Sequence, residues 1–174
     1  MRLAFRNAEL AAKSESNRLE ILFSEQIAKV TGGKFSHVEC VLAGPLSAAQ
    51  CFAAVEPHGC RYALIDLTQP TGMWTVLETP TTADEDRFIS GFCAGAESKP
   101  YDMGGIIGIG SEDGLHVPWQ RFCSEFAAEL CQAVGGLGIQ TNVPRWMVAP
   151  SGPSDGKRYG LYEMCIAAGW KVIQ

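Results

Sequence analysis

The stretch Gln120-Arg-Phe-Cys-Ser-Glu-Phe-Ala-Ala-Glu-Leu-Cys-Gln-Ala-Val134 is the most regular segment of the chain. Large apolar side chains recur in it at every fourth position, which is the spacing of one buried helix face. These residues are Phe122, Phe126, Leu130 and Val134. The pair Gly135-Gly136 follows, and glycine commonly ends a helix. We therefore predict a helix over 120–134 that packs on a core and carries Cys123 in its first turn.

The position of Cys123 bears on its chemistry. A side chain in the first helical turn lies near unpaired backbone N–H groups and the positive end of the helix dipole, which favour a thiolate. A free cysteine has a pKa of about 8.5, so such a position matters for reactivity at neutral pH. The alternative is a small buried core residue, which Cys131 on the same helix fits well. Helix position alone leaves both interpretations open.

A second segment, Phe35-Ser-His-Val-Glu-Cys-Val-Leu42, predicts a strand. Residues two apart in a strand point to one face, with Cα atoms about 6.6 Å apart. His37 and Glu39 can therefore lie side by side, and the carboxylate can fix the tautomer and orientation of the imidazole. Both faces of the strand are otherwise largely apolar, with Phe35 and Val41 expected beside this pair. A structural ion pair or a solvated edge strand is the alternative.

Two further histidines compete for the role of base. His58 lies in Glu-Pro-His-Gly, which predicts an exposed turn. His116 precedes Cys123 by seven residues, at the end of a glycine-rich segment, and could reach the same cleft. It lacks a neighbour placed as Glu39 is placed beside His37. We therefore prefer His37 as the base.

The remaining patterns predict one α+β domain over residues 1–174. The expected strands are Leu3–Arg6, Phe35–Leu42, Arg61–Leu67, Met73–Glu78 and Trp170–Ile173. The expected helices are Ser16–Val30, one opening at the capping box Thr82-Ala-Asp-Glu85, 120–134, and Leu161–Ala168. In the capping-box helix, Phe88, Ile89 and Phe92 are expected to point inward. No helix or strand is predicted for the small-residue stretch Ser47–Val55.

Composition excludes several classes of function. The chain has 174 residues, a net charge of −5 and no run of Lys or Arg, so nucleic acid is not an expected partner. No apolar run approaches the ~20 residues of a spanning helix, and the first residues do not form a signal peptide. The seven cysteines include no CxxC motif and are expected to be reduced. We expect a cytoplasmic protein without a membrane span or metal site.

Four motifs resemble the circularly permuted branch of the NlpC/P60 papain-like superfamily, particularly its small members in phages and prophages. They are Ser36-His37-Val38-Glu39, Gly59-Cys60-Arg61, Lys99-Pro-Tyr-Asp-Met-Gly104 and Phe122-Cys-Ser-Glu-Phe-Ala127. The resemblance covers residues 35 to 135. Cys60 stands where a small glycine-type residue is more usual, and the first 34 residues match no part of the pattern.

The resemblance implies a papain-like fold, in which a nucleophile helix packs against an antiparallel sheet that carries the histidine. Cys123 would be the nucleophile, His37 the general base and acid, and Glu39 the orienting residue. Tyr101 would help to line the oxyanion site, unless it is a packed aromatic at a helix end. Glu125 would be a helix-terminal charge or a structural support.

The function implied is a cysteine peptidase or amidase that cleaves an amide or isopeptide bond, with cell-wall peptides as one substrate class. A second hypothesis is an acyltransferase or thioesterase acting on a lipid-like substrate, with an apolar trough lined by Ile106, Ile107 and Ile109. A third is a non-catalytic phage or prophage binding protein that keeps the fold. The expected partner is a peptide or acyl substrate, and no cofactor is implied.

Overall fold

An antiparallel sheet forms the centre of the protein. The structure is a computed structural model that describes residues 1–14, 18–102, 120–135, 137–139, 148–152 and 159–174. Within these residues the sheet has six strands, in the order β4-β3-β2-β1-β5-β8. The strands are β1 (Arg2–Asn7), β2 (Phe35–Ala43), β3 (Ala49–Val55), β4 (Gly59–Ile65), β5 (Trp74–Glu78) and β8 (Lys171–Val172). Two short strands, β6 (Val148–Ala149) and β7 (Tyr159–Gly160), pair in parallel. The predicted α+β class is confirmed.

The described helices are α1 (Ala8–Ser14), α2 (Arg18–Thr31), α3 (Ala83–Ala96), α4 (Cys123–Val134) and α5 (Leu161–Ala167). The last three cover one face of the sheet and bury its larger apolar side chains. Phe126 of α4 packs against Phe52 of β3, with ring centroids 5.0 Å apart and the rings tilted by 46°, and lies 5.6 Å from Phe92 of α3. The helix that begins with Cys123 is therefore held against the sheet by a buried aromatic cluster.

The opposite face of the sheet is also covered. Ala4 of β1, Val41 of β2 and Cys51 of β3 form a second buried cluster there, together with Ala11 of α1. A strand covered on both faces must place apolar side chains on each, as the sequence of β2 does. The central strands, including the one that carries His37, therefore lie inside the protein.

The strand β3 was not predicted. Its sequence, Ala-Gln-Cys-Phe-Ala-Ala-Val over Ala49–Val55, is rich in alanine, which has little intrinsic preference for strands. Pairing decides the outcome instead, because β3 is hydrogen-bonded to β2 on one side and to β4 on the other. Tertiary context therefore overrides local propensity in this segment.

The helix predictions need two corrections. The single helix expected over Ser16–Val30 is the second of two helices, since α1 precedes it directly after β1. The capping box at Thr82 is confirmed, with the Thr82 hydroxyl accepting from the Glu85 N–H and the Glu85 carboxylate accepting from the Thr82 N–H. Phe88, expected inside, is 46% exposed, whereas Ile89 is buried. The buried face of α3 is narrower than its apolar pattern suggests.

Among the helices described, none has the length and apolar character needed to cross a bilayer. Whether residues 1–174 form a single domain stays a prediction.

Candidate active site

The helix α4 begins at Cys123, three residues later than the pattern predicts. Phe122 has an extended backbone and caps the helix without a side-chain hydrogen bond, and Gly135 ends it in the left-handed conformation, with φ at 73°. Cys123 is thus in the first turn, as predicted. It is 2% exposed and belongs to the main apolar cluster. Its thiol therefore lies at the helix start, among buried groups.

A bulge in β2 sets the direction of the side chains near His37. Arg6 of β1 pairs with His37, but the next residue, Asn7, pairs with Phe35, so Ser36 is an extra residue in the ladder. Bulges shift the alternation of a strand and redirect its side chains. Phe35 accordingly packs in the same cluster as Val38 and not beside His37. The expectation that Phe35 shares the face of His37 is wrong for this reason.

The side chains of His37 and Glu39 are in direct contact. Nε2 of His37 lies 2.9 Å from Oε1 of Glu39, and the two side chains are 18% and 3% exposed. The second carboxylate oxygen, Oε2, is buried and has no hydrogen-bond partner in the part of the chain that the structure describes. A buried carboxylate with one free oxygen is costly, and such sites are often functional.

Cys123 is the second group that acts on the His37 imidazole. Burial by itself lowers the pKa of the imidazole, but the charge and hydrogen bond of Cys123, followed by those of Glu39, raise that pKa to about 10. Since Nε2 faces Glu39, the nitrogen left for the sulfur is Nδ1. The imidazole is thus charged at neutral pH and lies between a carboxylate and a thiol. This arrangement suits a thiolate–imidazolium pair.

An aromatic side chain restricts the imidazole on a further side. The ring of Trp74 in β5 lies 6.5 Å from the His37 ring in an edge-to-face arrangement. The guanidinium of Arg6 lies 6.0 Å from the Trp74 ring, at the distance of a cation–π contact. Neighbouring strands therefore help to fix the orientation of His37.

Tyr101 is held next to the start of α4. It forms a parallel bridge with Arg121, two residues before Cys123, and packs against Phe122 and Ala149. Burial, followed by the negative charges of Cys123, Glu56 and Asp102, raises the pKa of the phenol well above its usual value. The hydroxyl therefore keeps its proton at neutral pH and can donate a hydrogen bond.

A buried charge network lies around the start of the helix. Nε of Arg121 donates to Oε2 of Glu129 at 2.6 Å, and Nη1 of Arg121 lies 3.9 Å from Oε1 of Glu125. Burial, opposed by Arg121, raises the pKa of Glu125 to about 7. Whether Glu125 acts as a helix-terminal charge or as a structural support stays a prediction. The pairing of Arg121 with Glu129 is not evident from the motif, because Arg121 precedes the first helical residue and helical spacing does not apply to it.

The other six cysteines are free and buried, as is Cys123. Burial raises the pKa of their thiols, to about 11 for Cys60 and about 12 for Cys51, Cys93 and Cys131. The thiols of Cys40 and Cys165 also have raised pKa values, with burial as the largest cause. They are neutral at physiological pH and suit a packing role.

The remaining candidates are less informative. His58 is exposed in the turn before β4, as predicted. His116, the apolar residues Ile106, Ile107 and Ile109, and the motif residues Met103 and Gly104 lie outside the described residues. Within the described ranges, no three His, Cys, Asp or Glu side chains converge in a way that could hold a metal ion.

Comparisons with known proteins give no family for this chain. No family model and no curated protein matches it. Among solved structures it is similar to the crystal structure of metalloprotein yiiX from Escherichia coli O157:H7, DUF1105. The TM-score is 0.49 at 17% sequence identity, over 79% of this chain and 67% of the other. A similarity at this level establishes neither a family nor a function.

Proposed function

We propose that this chain is a cysteine hydrolase that cleaves an amide or isopeptide bond. The observation that carries the proposal is an imidazole that contacts a buried carboxylate and lies near enough to a thiol to be affected by it. Nε2 of His37 lies 2.9 Å from Oε1 of Glu39, and Cys123 raises the pKa of the imidazole. Nucleophile, base and orienting group in this order are the minimum set for thiol acyl transfer.

In the first step, the Cys123 thiolate attacks the substrate carbonyl and a C–S bond forms. The carbonyl π electrons move to oxygen and give a tetrahedral oxyanion. When the oxyanion collapses, the C–N bond breaks and His37 donates its proton to the departing amine. The products of this step are a thioester on Cys123, a free amine and a neutral imidazole.

In the second step, neutral His37 removes a proton from water as the water oxygen attacks the thioester carbonyl. The tetrahedral species collapses with the Cys123 thiolate as the leaving group, and the acid product departs. The imidazole is again protonated, so the enzyme returns to its initial state. Glu39 keeps the ring in one orientation in both steps and compensates its positive charge.

Two groups are suitable donors to the oxyanion. The backbone N–H of Cys123 lies at the start of α4 and has no intrahelical acceptor, and the Tyr101 hydroxyl stays protonated for the reasons given above. Preorganised donors at a developing oxyanion contribute about 10²–10³-fold in rate each. Tyr101 is therefore assigned the second oxyanion contact.

The finer fold and substrate assignments rest on the sequence resemblance. A helix bearing Cys123 that packs on an antiparallel sheet bearing His37 is the arrangement expected for a permuted papain-like fold. The order of histidine before cysteine in the chain agrees with the permuted branch. On this basis the proposed substrate is a peptide, with cell-wall peptides that contain γ-glutamyl links as the first class to test.

The test is the capture of an acyl group on Cys123. Purified protein is incubated with muropeptides and, separately, with short-chain thioesters, and the adduct is located by peptide mass mapping. We expect muropeptide turnover that is lost in Cys123→Ala and kept in Cys131→Ala, a matched change on the same helix. Acylation by thioesters alone would favour the lipid-directed alternative. An absence of any Cys123 adduct would contradict both enzyme hypotheses and would favour the non-catalytic binding protein.

A further inference from the structure

We propose that Arg121 is a positioning residue that holds Tyr101 in place beside Cys123. The inference rests on the proposed function, because it concerns the oxyanion contact of that reaction. The role of Arg121 follows from its main-chain and side-chain contacts, which join two different parts of the protein.

The main chain of Arg121 is bonded to the segment that carries Tyr101. The Arg121 N–H donates to the carbonyl of Pro100 at 3.1 Å, and the Asp102 N–H donates to the carbonyl of Arg121 at 2.9 Å. These two bonds lie on either side of Tyr101 and form the parallel bridge. The backbone of Arg121 thus joins Tyr101 to the start of the helix.

The side chain of Arg121 anchors that backbone to the body of α4. Its Nε donates to Oε2 of Glu129 at 2.6 Å, and its Nη2 donates to Oε1 at 3.4 Å. The side chains of Arg121 and Glu129 are 14% and 18% exposed, so the pair is mostly shielded from water. A two-pronged arginine–carboxylate contact restricts geometry more than a single hydrogen bond does. Arg121 therefore links Tyr101 to the helix two turns below the nucleophile.

The other end of the Tyr101 segment is fixed independently. The Cys60 N–H donates to the carbonyl of Lys99 at 2.8 Å, and the Ser98 N–H donates to the carbonyl of Cys60 at 2.9 Å. A Cβ atom at Gly59 would clash with the Lys99 carbonyl oxygen, so the approach is close. Loss of the Arg121 side chain should therefore release the Tyr101 end and leave the segment attached at β4.

The expected consequence is specific to reactions that form an oxyanion. Misplacing a catalytic group by about 1 Å can cost on the order of 100-fold in rate. Alkylation of Cys123 by iodoacetamide is a direct displacement with no oxyanion, so it needs the thiolate but not the Tyr101 hydroxyl. Acylation by p-nitrophenyl acetate passes through a tetrahedral oxyanion. The ratio of the two rates separates positioning of Tyr101 from a general loss of structure.

The experiment measures both rates in Tyr101→Phe, Arg121→Gln, Glu129→Gln and the double variant Tyr101→Phe/Arg121→Gln. We expect each to acylate roughly 10- to 100-fold more slowly than the natural protein. Alkylation should change by less than about threefold, and the double variant should be no slower than Tyr101→Phe. Glu9→Gln, which breaks the exposed pair of Glu9 with Lys13, is the matched control and should change neither rate.

Four results would overturn the inference. Equal losses in acylation and alkylation would indicate a structural role only, and additive losses in the double variant would indicate that Arg121 acts independently of Tyr101. If Arg121→Gln and Glu129→Gln acylate at the normal rate while Tyr101→Phe acylates slowly, Arg121 has no positioning role. The proposed function would not be affected by that result. A natural protein that reacts with neither reagent would instead remove the proposed function, and this inference with it. If Arg121→Gln fails to fold, the acylation and alkylation rates of Glu129→Gln test the inference in its place.

Discussion

Nε2 of His37 and Oε1 of Glu39, two residues further along β2, lie 2.9 Å apart. The pair is local, because the strand by itself brings the two side chains together. The more distant partner, Cys123, is brought to the imidazole by the packing of α4 on the sheet. The proximity of His37 to Glu39 is therefore encoded in three residues of sequence, whereas the completed site depends on tertiary structure.

Replacing Glu39 by glutamine tests the orienting role. The amide keeps the size of the side chain but removes its charge, so the imidazolium loses compensation and its fixed orientation. Since a positioned general base contributes about 10²–10⁴-fold, we expect Glu39→Gln to lower kcat by roughly 10- to 100-fold. Steady-state hydrolysis of a muropeptide measures kcat, and Glu78→Gln on β5 is the control. An unchanged kcat would show that Glu39 is a structural acid.

The protonation of His37 depends on Cys123. The pKa of His37 is about 10 because Cys123 and Glu39 outweigh the opposing effect of burial. In NMR titrations of the ring protons we expect no titration of His37 between about pH 5 and 8 in the natural protein. Cys123→Ala removes the largest raising contribution, so the pKa should fall. An identical titration in the two proteins would mean that the side chains do not interact.

The same shift has a consequence for stability. The folded-state pKa lies above the unfolded value of about 6.5, so the contribution of charged His37 is fully present below about pH 6.5 and is lost as the pH rises through about 10. Urea unfolding across this range of pH should show a decline in the free energy of unfolding of the natural protein. The decline should be weaker in Cys123→Ala.

Glu125 gives a second pH dependence, at lower pH. Burial raises its pKa to about 7, so the folded protein holds a proton that the unfolded chain has released above about pH 4.5. The stability it contributes is therefore present at low pH and is lost as the pH rises through about 7. Between about pH 5 and 8 we expect the free energy of unfolding to fall by roughly 1–3 kcal/mol more than in Glu125→Gln. Parallel curves for the two proteins would contradict this assignment.

The packing of α4 can be tested at Phe126. This ring is buried between Phe52 and Phe92, and its removal leaves a cavity under the nucleophile helix. We expect Phe126→Ala to reduce the free energy of unfolding by about 3–5 kcal/mol. Phe88→Ala on the exposed side of α3 is the matched control and should cost less than about 1 kcal/mol. Similar losses at both positions would mean that α4 is not held by this cluster.

The sequence was most informative where local patterns coincide with tertiary structure. The helix at Cys123 has strict apolar periodicity, and the capping box at Thr82 needs only four residues, so both were predictable. The strand β3 was not, because its alanines carry no strand signal and only its neighbours in the sheet define it. Phe88 shows the reverse case, in which an apolar residue at a suitable position remains exposed.

The candidate site shows the same division. The proximity of His37 to Glu39 follows from strand geometry, although the bulge at Ser36 that turns Phe35 away leaves no mark in the residue pattern. The contact of Arg121 with Glu129 crosses the boundary between a loop and a helix, where periodicity fails to indicate facing side chains. Both features depend on neighbouring elements and not on the local pattern of residues.

The central claim is that Cys123 is an activated thiolate paired with His37, and alkylation tests it most directly. All seven cysteines are at most 2% exposed, so a difference in their reactivity reports chemistry more than access. With iodoacetamide at about pH 6, we expect Cys123 to be modified at least tenfold faster than the other six, and His37→Ala to abolish that difference. Equal labelling of the seven cysteines in the natural protein, or fast labelling of Cys123 in His37→Ala, would contradict the account.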